Sequence, residues 1–262
     1  MKNTETEERA YASEEKSRKD IIEGKNAVFE ALRSSAPLEK IYISKTVKSK
    51  PNHILAIARE RNVPVVSCEP NKLDAMSVRK SHQGVIAVTA ASEYLELDDL
   101  IEIFKKSSEP AFLIACDSVS DPQNLGAIIR TAECAGADGL IIPKRRSAGL
   151  TAIVNKTSAG AASHFPVARV TNLSAALEEL KENGVWVFGA DMAGEKSHWE
   201  TDFKGPVCLV IGSEGKGISK LLREKCDFLV NIPMRGKINS LNAAVAAAVL
   251  IYEVRRQRDT RV

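Results

Sequence analysis

The sequence predicts two α/β units in series, the second built on a parallel sheet covered by helices on both faces. Three observations carry this. Helix-like and strand-like patterns alternate along nearly the whole chain from Ile21. The strand-like runs of the second half, such as Phe112–Cys116 and Val207–Gly212, are almost continuously apolar, as strands buried on both faces are. A polar stretch, residues 92–109, separates the two alternations.

The elements follow in order. Residues 1–19 mix both charge signs with little apolar content and are expected to form a disordered tail. The first unit, residues 20–91, reads as helix at Asn26–Leu32, strand at Lys40–Ser44, helix at His53–Arg61, strand at Pro64–Ser67, helix at Pro70–Val78 and strand at Gly84–Ala90. Residues 92–109 are expected to be a connector with a short helical stretch at Leu97–Lys106. In the second unit, residues 110–262, strands are expected at Phe112–Cys116, Gly139–Ile142, Val185–Gly189, Val207–Gly212 and Phe228–Ile232. Helices are expected at Leu125–Ala135, Thr151–Ser158, Ser174–Asn183, Ser219–Glu224 and Ser240–Arg258. Ligands of such sheets sit beyond the carboxyl ends of the strands, so the loops Asp117–Asn124, Ala190–Lys196, Ser213–Gly217 and Pro233–Asn239 carry most functional weight.

Bulk numbers exclude several classes. A chain of 262 residues with 44% hydrophobic and 27% charged residues is ordinary for a globular protein with one large or two modest cores. No apolar run approaches the roughly 18 residues of a membrane span. The N-terminus lacks the apolar core of a secretory signal, so a cytoplasmic location is expected. The five cysteines include no CxxC pair and the four histidines are far apart, which argues against structural zinc or a disulfide framework. Cys116 and Cys208 read as small buried hydrophobes. The net charge of +3 says little about nucleic acid. Two basic clusters, Lys144–Arg146 and Arg255–Arg261, each read on their own as solvated loop or helix end.

Three segments carry chemistry. In Asp117–Pro143, a strand end runs through a polar loop into a helix. Asn124 is expected to cap that helix, and Gly126 to admit a second backbone. Arg130 stands in an otherwise apolar helix, and the plain structural reading pairs it with Glu133. In Leu209–Met234 a buried strand runs into GSEGKG, where glycines let a ligand approach the backbone. Spacing excludes a P-loop here, as it does in Gly189–Ser197, and no GxGxxG follows any strand. In Ile238–Arg258, Asn239, Ser240 and Asn242 crowd the start of an Ala- and Val-rich helix, and one cap does not need all three.

In this order and at these distances the segments resemble the three motifs of the SpoU (TrmH-like) branch of the SPOUT RNA methyltransferases: NLGAIIRTAE, then IGSEGKG, then IPM with SLNAAVA. The resemblance spans Ile21 to about Gln257. The stretch from IIEGKNAVFEAL to HQGVIAV is similar to the small RNA-binding α/β domain of many members. The stretch RRSAGLTAIVNKTSAGAASHFPVARVTNL most resembles enzymes that methylate a guanosine ribose in 23S rRNA. The Ala-rich run after Asn242 departs from relatives, which place other small residues there.

The resemblance implies a deep trefoil knot at the C-terminal part, a homodimer with the site near its interface, S-adenosylmethionine as methyl donor, and structured RNA, most closely 23S rRNA, as substrate. No metal or membrane is implied. It makes Arg130 the principal catalytic residue, oriented with its substrate by Asn124 and Glu214, with Ser240 and Asn242 completing a polar wall. It assigns the adenine to main-chain groups of Gly212, Ile232 and Leu241, with Ala190 and Met234 beside them. Methyl transfer from a sulfonium is an in-line displacement that needs alignment rather than a metal. Arginine holds its proton to a pH above about 12. Arg130 therefore either clamps the neighbouring phosphate and steadies oxyanion charge, or becomes the base through contact with that phosphate. The alternatives are a tRNA ribose or resistance-type rRNA methyltransferase, or a non-catalytic RNA-binding assembly protein.

Overall fold

A computed structural model describes residues 21–33, 37–47, 51–77, 81–90 and 93–259. The tail expected over residues 1–19, and Arg261, lie outside them. The chain divides into two units, with the boundary between Glu93 and Tyr94 and the short segment Gly149–Ala152 grouped with the first.

The first unit runs β1 (Ile21–Glu23), α1 (Lys25–Arg33), β2 (Leu38–Ser44), α2 (Asn52–Glu60), β3 (Val65–Cys68), α3 (Pro70–Met76) and β4 (Val85–Thr89). The sheet order is β1-β4-β2-β3; β2 and β3 are parallel, and β4 runs antiparallel to both β1 and β2. Period two explains the packing. Val85 and Ala87 join Val28, Leu32, Ile41, Ile54 and Ala58 in one cluster, while Ile86 joins Leu73 and Cys68 in another. The sheet is thus covered on both faces. β1, only three residues after the charged tail, was too short for periodicity to reveal.

The second unit runs α4 (Leu97–Lys106), β5 (Phe112–Cys116), α5 (Pro122–Cys134), β6 (Gly139–Pro143), α6 (Ala152–Thr157), β7 (Val167–Val170), α7 (Leu173–Glu182), β8 (Trp186–Ala190), β9 (Lys196–Ser197), β10 (Val207–Ile211), α8 (Lys220–Arg223), β11 (Phe228–Asn231) and α9 (Ala243–Asp259). Its seven strands are ordered β7-β6-β5-β10-β8-β11-β9, and every paired neighbour is parallel. All five residues of β5 and all five of β10 are buried. One face carries Leu113, Ala115, Cys208 and Val210 against α4 and α7. On the other face α9 packs on β10 and α5. This is the expected doubly covered parallel sheet.

Three differences have physical reasons. The stretch expected as a connector holds α4, whose Leu97, Leu100, Ile101 and Phe104 enter the second unit's core, so residues 94–109 belong to that unit. Charged residues between those four conceal a helical apolar stripe. β7 was missed because Arg169 interrupts VARV. That arginine is 4% exposed, and its guanidinium lies 4.5 Å from the Tyr94 ring centroid. α9 begins at Ala243 rather than Ser240, because Asn242 caps it: its Oδ1 accepts from the N–H of Ala244 (2.9 Å) and of Val245 (3.3 Å).

Cys116 and Cys208 are fully buried, and burial pushes the Cys116 thiol up to about 12 and the Cys208 thiol upward as well. Such thiols pack as apolar groups. No helix among the described residues is long and apolar enough to cross a membrane.

Candidate active site

Parallel pairing brings the carboxyl ends of β8, β10 and β11 to one edge of the second unit's sheet. A cavity of about 400 Å³ opens there. Its walls are the loops that follow those three strands and the chain entering α9. Ile211, Val230, Ile232, Met234 and Leu241 supply apolar surface, while Asp191, Ser213, Glu214, Asn239 and Ser240 supply polar groups. Ala190 and Gly212 complete the set, so all five residues expected at the cofactor line this one cavity.

The loop after β10 has a specific reason for its glycines. A Cβ on Gly212 would stand 2.1 Å from the carbonyl carbon of Gly217. Ser213 and Gly217 close the loop with two backbone hydrogen bonds of 3.1 and 2.9 Å, and Gly215 and Gly217 adopt φ of +78° and +64°. Gly212 therefore serves an approach of chain on chain; the open backbone lies at Gly215 and Gly217.

Beside the cavity three distant segments meet through side chains. The Asn124 Nδ2 donates to Glu214 Oε1 at 2.7 Å. The Asn242 Nδ2 donates to Asn124 Oδ1 at 3.0 Å and to the same Glu214 oxygen. Two amides thus fix one carboxylate oxygen of Glu214, whose side chain also reaches the cavity wall. The network explains why Asn124 is not the cap of α5. Asp121 takes that role, its Oδ1 accepting from the Gln123 N–H at 2.9 Å, with Pro122 at the first helical position. Asn124, buried in the first turn, is left free to turn toward Glu214. Gly126 does what was expected: a Cβ there would stand 2.9 Å from the Val154 carbonyl oxygen.

Arg130 stands apart. Six residues beyond Asn124, it is displaced about 240° around the helix and about 9 Å along it. It is exposed, and it makes no ion pair or side-chain hydrogen bond among the described residues. Its expected partner Glu133 faces His164 instead, at 3.6 Å. Ser240 sits on the cavity wall, outside the three-residue network.

Two cavity residues escaped the sequence reading. Asp191, its side chain 8% exposed, pairs with Arg223 at 2.7 Å, and its Oδ1 accepts from the Ala193 N–H at 2.9 Å. The pair ties the loop after β8 to α8. Its only sequence trace was position, since Asp191 directly follows a buried strand at the carboxyl edge. Among the described residues no group of three or more His, Cys, Asp or Glu side chains is placed to hold a metal ion.

Residues 111–252 match the SpoU rRNA Methylase family, and residues 21–95 match the family described as RNA 2′-O ribose methyltransferase substrate binding. A putative TrmH family tRNA/rRNA methyltransferase of Bacillus subtilis is 48% identical, over 92% of this chain and 96% of its own. An AdoMet-bound rRNA methyltransferase of Sinorhizobium meliloti superposes with a TM-score of 0.58 at 27% identity, over 90% of this chain and 87% of its own. A TrmH/SpoU tRNA modifying enzyme of A. aeolicus superposes with a TM-score of 0.53 at 28% identity, over 62% of this chain and 82% of its own.

Proposed function

The chain belongs to the SpoU rRNA methylase family, and from that premise we propose that its methyl acceptor is the 2′-hydroxyl of a guanosine in 23S rRNA. At the coarser level it is an S-adenosylmethionine-dependent RNA 2′-O-ribose methyltransferase. The observation that carries the reading is the convergence of the three motif segments: cavity, glycine loop and Asn124–Glu214–Asn242 network occupy one edge of one sheet.

The cavity fits the donor. Its volume suits a ligand of nucleoside size, its apolar wall suits a purine face, and its irregular loops offer main-chain groups to a purine edge. S-adenosylmethionine supplies an already activated methyl group. The protein's part is alignment and charge. Gly212, Ile232 and Leu241 hold the adenine, with Ala190 and Met234 beside them. Glu214, steadied by two amides, orients the ribose or the arginine that serves it, and Ser240 extends the polar wall. Arg130 clamps the adjacent phosphate and steadies the developing oxyanion. Its exposure, and the lack of any ion pair or side-chain hydrogen bond among the described residues, support a group kept free for substrate.

A homodimer belongs to the same reading, because Arg130 does not join the network of its own chain. One protomer's Arg130 then serves RNA beside the other's donor. The outer face of α9 offers an apolar stripe for the contact, with Val245 and Tyr252 exposed and Val249 half-buried between them. The knotted passage expected of the family, through the loops that wall the cavity, is also part of this proposal.

For the target, the span of similarity favours rRNA over tRNA. The Sinorhizobium rRNA enzyme matches nine-tenths of this chain, first unit included. The A. aeolicus tRNA enzyme matches about the share that the second unit makes up. Incubation with labelled S-adenosylmethionine and in vitro transcribed 23S rRNA or tRNA, followed by nucleoside mass spectrometry, decides the target. The expected product is 2′-O-methylguanosine in 23S rRNA. Label in tRNA alone would overturn the rRNA assignment.

A further inference from the structure

We propose that the loop Lys144–Arg146, which follows β6, is a phosphate-binding element that grips the RNA backbone flanking the methylated nucleotide; the proposal rests on the RNA methyltransferase reading above. The loop leaves the sheet at the same edge as the cavity, because β6 pairs parallel with β5, and β5 parallel with β10. It presents three consecutive cations. None makes an ion pair or a side-chain hydrogen bond among the described residues, and Arg145 and Arg146 are exposed. Three cations elsewhere in this unit are by contrast compensated: Arg223 by Asp191, Arg255 by Glu109, and Lys181 by Asp227 and Glu178.

The loop is held rather than slack. The Lys144 N–H donates to the Val170 carbonyl at 2.8 Å, and the Ala148 N–H donates to the Val119 carbonyl at 2.8 Å. Arg146 adopts φ of +60°, and Ser118, one residue before the Val119 that receives the loop, adopts φ of +59°. Both are backbone conformations that non-glycine residues rarely take and that persist where surroundings enforce them, often at ligand-binding sites. An arginine stands where glycine would be unstrained, so the position keeps a long cationic side chain at the expense of backbone ease. The Val119 tie joins the loop to the segment that leads from β5 into α5, the helix of Asn124 and Arg130.

Unpaired guanidinium groups on a fixed backbone match phosphate oxygens in bidentate geometry and release counterions when they bind. A ribose methyltransferase must hold the phosphodiester on either side of its target without reading sequence, and backbone contacts do this. The loop then sets register along the strand while the cavity edge carries the chemistry.

The test uses the full chain. Binding to in vitro transcribed 23S rRNA is followed across a salt series for the wild type, the double variant Arg145→Gln with Arg146→Gln, and the double variant Arg145→Lys with Arg146→Lys. Donor binding is measured in parallel by calorimetry. The Gln pair is expected to lower RNA affinity about tenfold or more at low salt and to reduce the slope of log K on log salt by about 1.5, the value for two phosphates. Its S-adenosylmethionine affinity stays at the wild-type value, and the Lys pair keeps the wild-type slope. An unchanged RNA affinity and slope in the Gln pair overturns the proposal and leaves the methyltransferase reading intact, as does a Lys pair that behaves like the Gln pair. A wild-type chain that binds donor but methylates no RNA overturns that reading and the loop's role with it.

Discussion

Lys144–Arg146 and Arg255–Arg258 are both short, dense basic stretches of the second unit, and they use their charge in opposite ways. The first stands at the carboxyl edge of the sheet with no ion pair among the described residues. The second turns inward. Arg258 donates to the carbonyls of Pro110 (2.7 Å), Ala111 (2.9 Å) and Gly205 (2.7 Å), and its guanidinium lies 5.2 Å from the Phe112 ring centroid. Arg255 pairs with Glu109 and Asp259, and Arg256 with Glu253. A count of charges cannot separate these fates. What separates them is that one stretch lies on a loop beyond strand ends. The other lies on a helix laid across the start of β5, where carbonyls and carboxylates wait for donors.

Arg130 gives the largest way to break this contrast. It is exposed and makes no ion pair among the described residues, so Arg130→Ala is expected to lower turnover about a thousandfold or more while donor affinity and melting temperature hardly move. Arg130→Lys should fall nearly as far, because lysine lacks the planar fork. Sedimentation of both variants should still give a species near twice the 28.5 kDa chain mass. Near-normal turnover of Arg130→Ala would remove Arg130 from the chemistry, and a species at the single-chain mass would remove the shared site.

Arg258→Ala comes next and should act on stability alone. Four carbonyl acceptors, those three and Phe203 (3.4 Å), lose a charged donor, a change expected to cost about 2–3 kcal/mol in urea unfolding, with donor affinity per folded molecule unchanged. An effect on RNA binding with no loss of stability would show that this stretch also faces substrate. Arg255→Ala should be the mildest. Its two ion pairs lie at a partly exposed position, so a loss below about 1 kcal/mol is expected, shrinking as salt is added.

The fold was largely legible in the sequence because strand and helix signals of the second unit are local and strong. β5 and β10 are uninterrupted apolar runs, and α5 and α7 fall close to where periodicity put them. The failures came where a long-range partner overrides local pattern. The packing of α4 looked polar in sequence, and β7 was hidden by an arginine that lies over Tyr94. The same holds at the site. Gly212, Ile232, Met234 and Leu241 of the cavity, and the Asn124–Glu214–Asn242 network, could be named from the motifs, since each is a short local string. Their partners could not. That Asp121 rather than Asn124 caps α5, that Glu133 turns to His164, and that Asp191 pairs with Arg223 all depend on contacts between residues far apart in the chain or on a choice between adjacent polar side chains.

The proposed function depends most on the cavity at the ends of β8, β10 and β11 being the methyl-donor site. Calorimetric titration of S-adenosylmethionine into the wild type and into Leu241→Trp, which fills the cavity from a wall position outside any helix, tests this directly. The expected result is one binding site per chain in the wild type, and at least a hundredfold weaker binding in the variant at an unchanged melting temperature, about 2.7 kcal/mol. Wild-type affinity in Leu241→Trp, or no binding to the wild type at all, would contradict it.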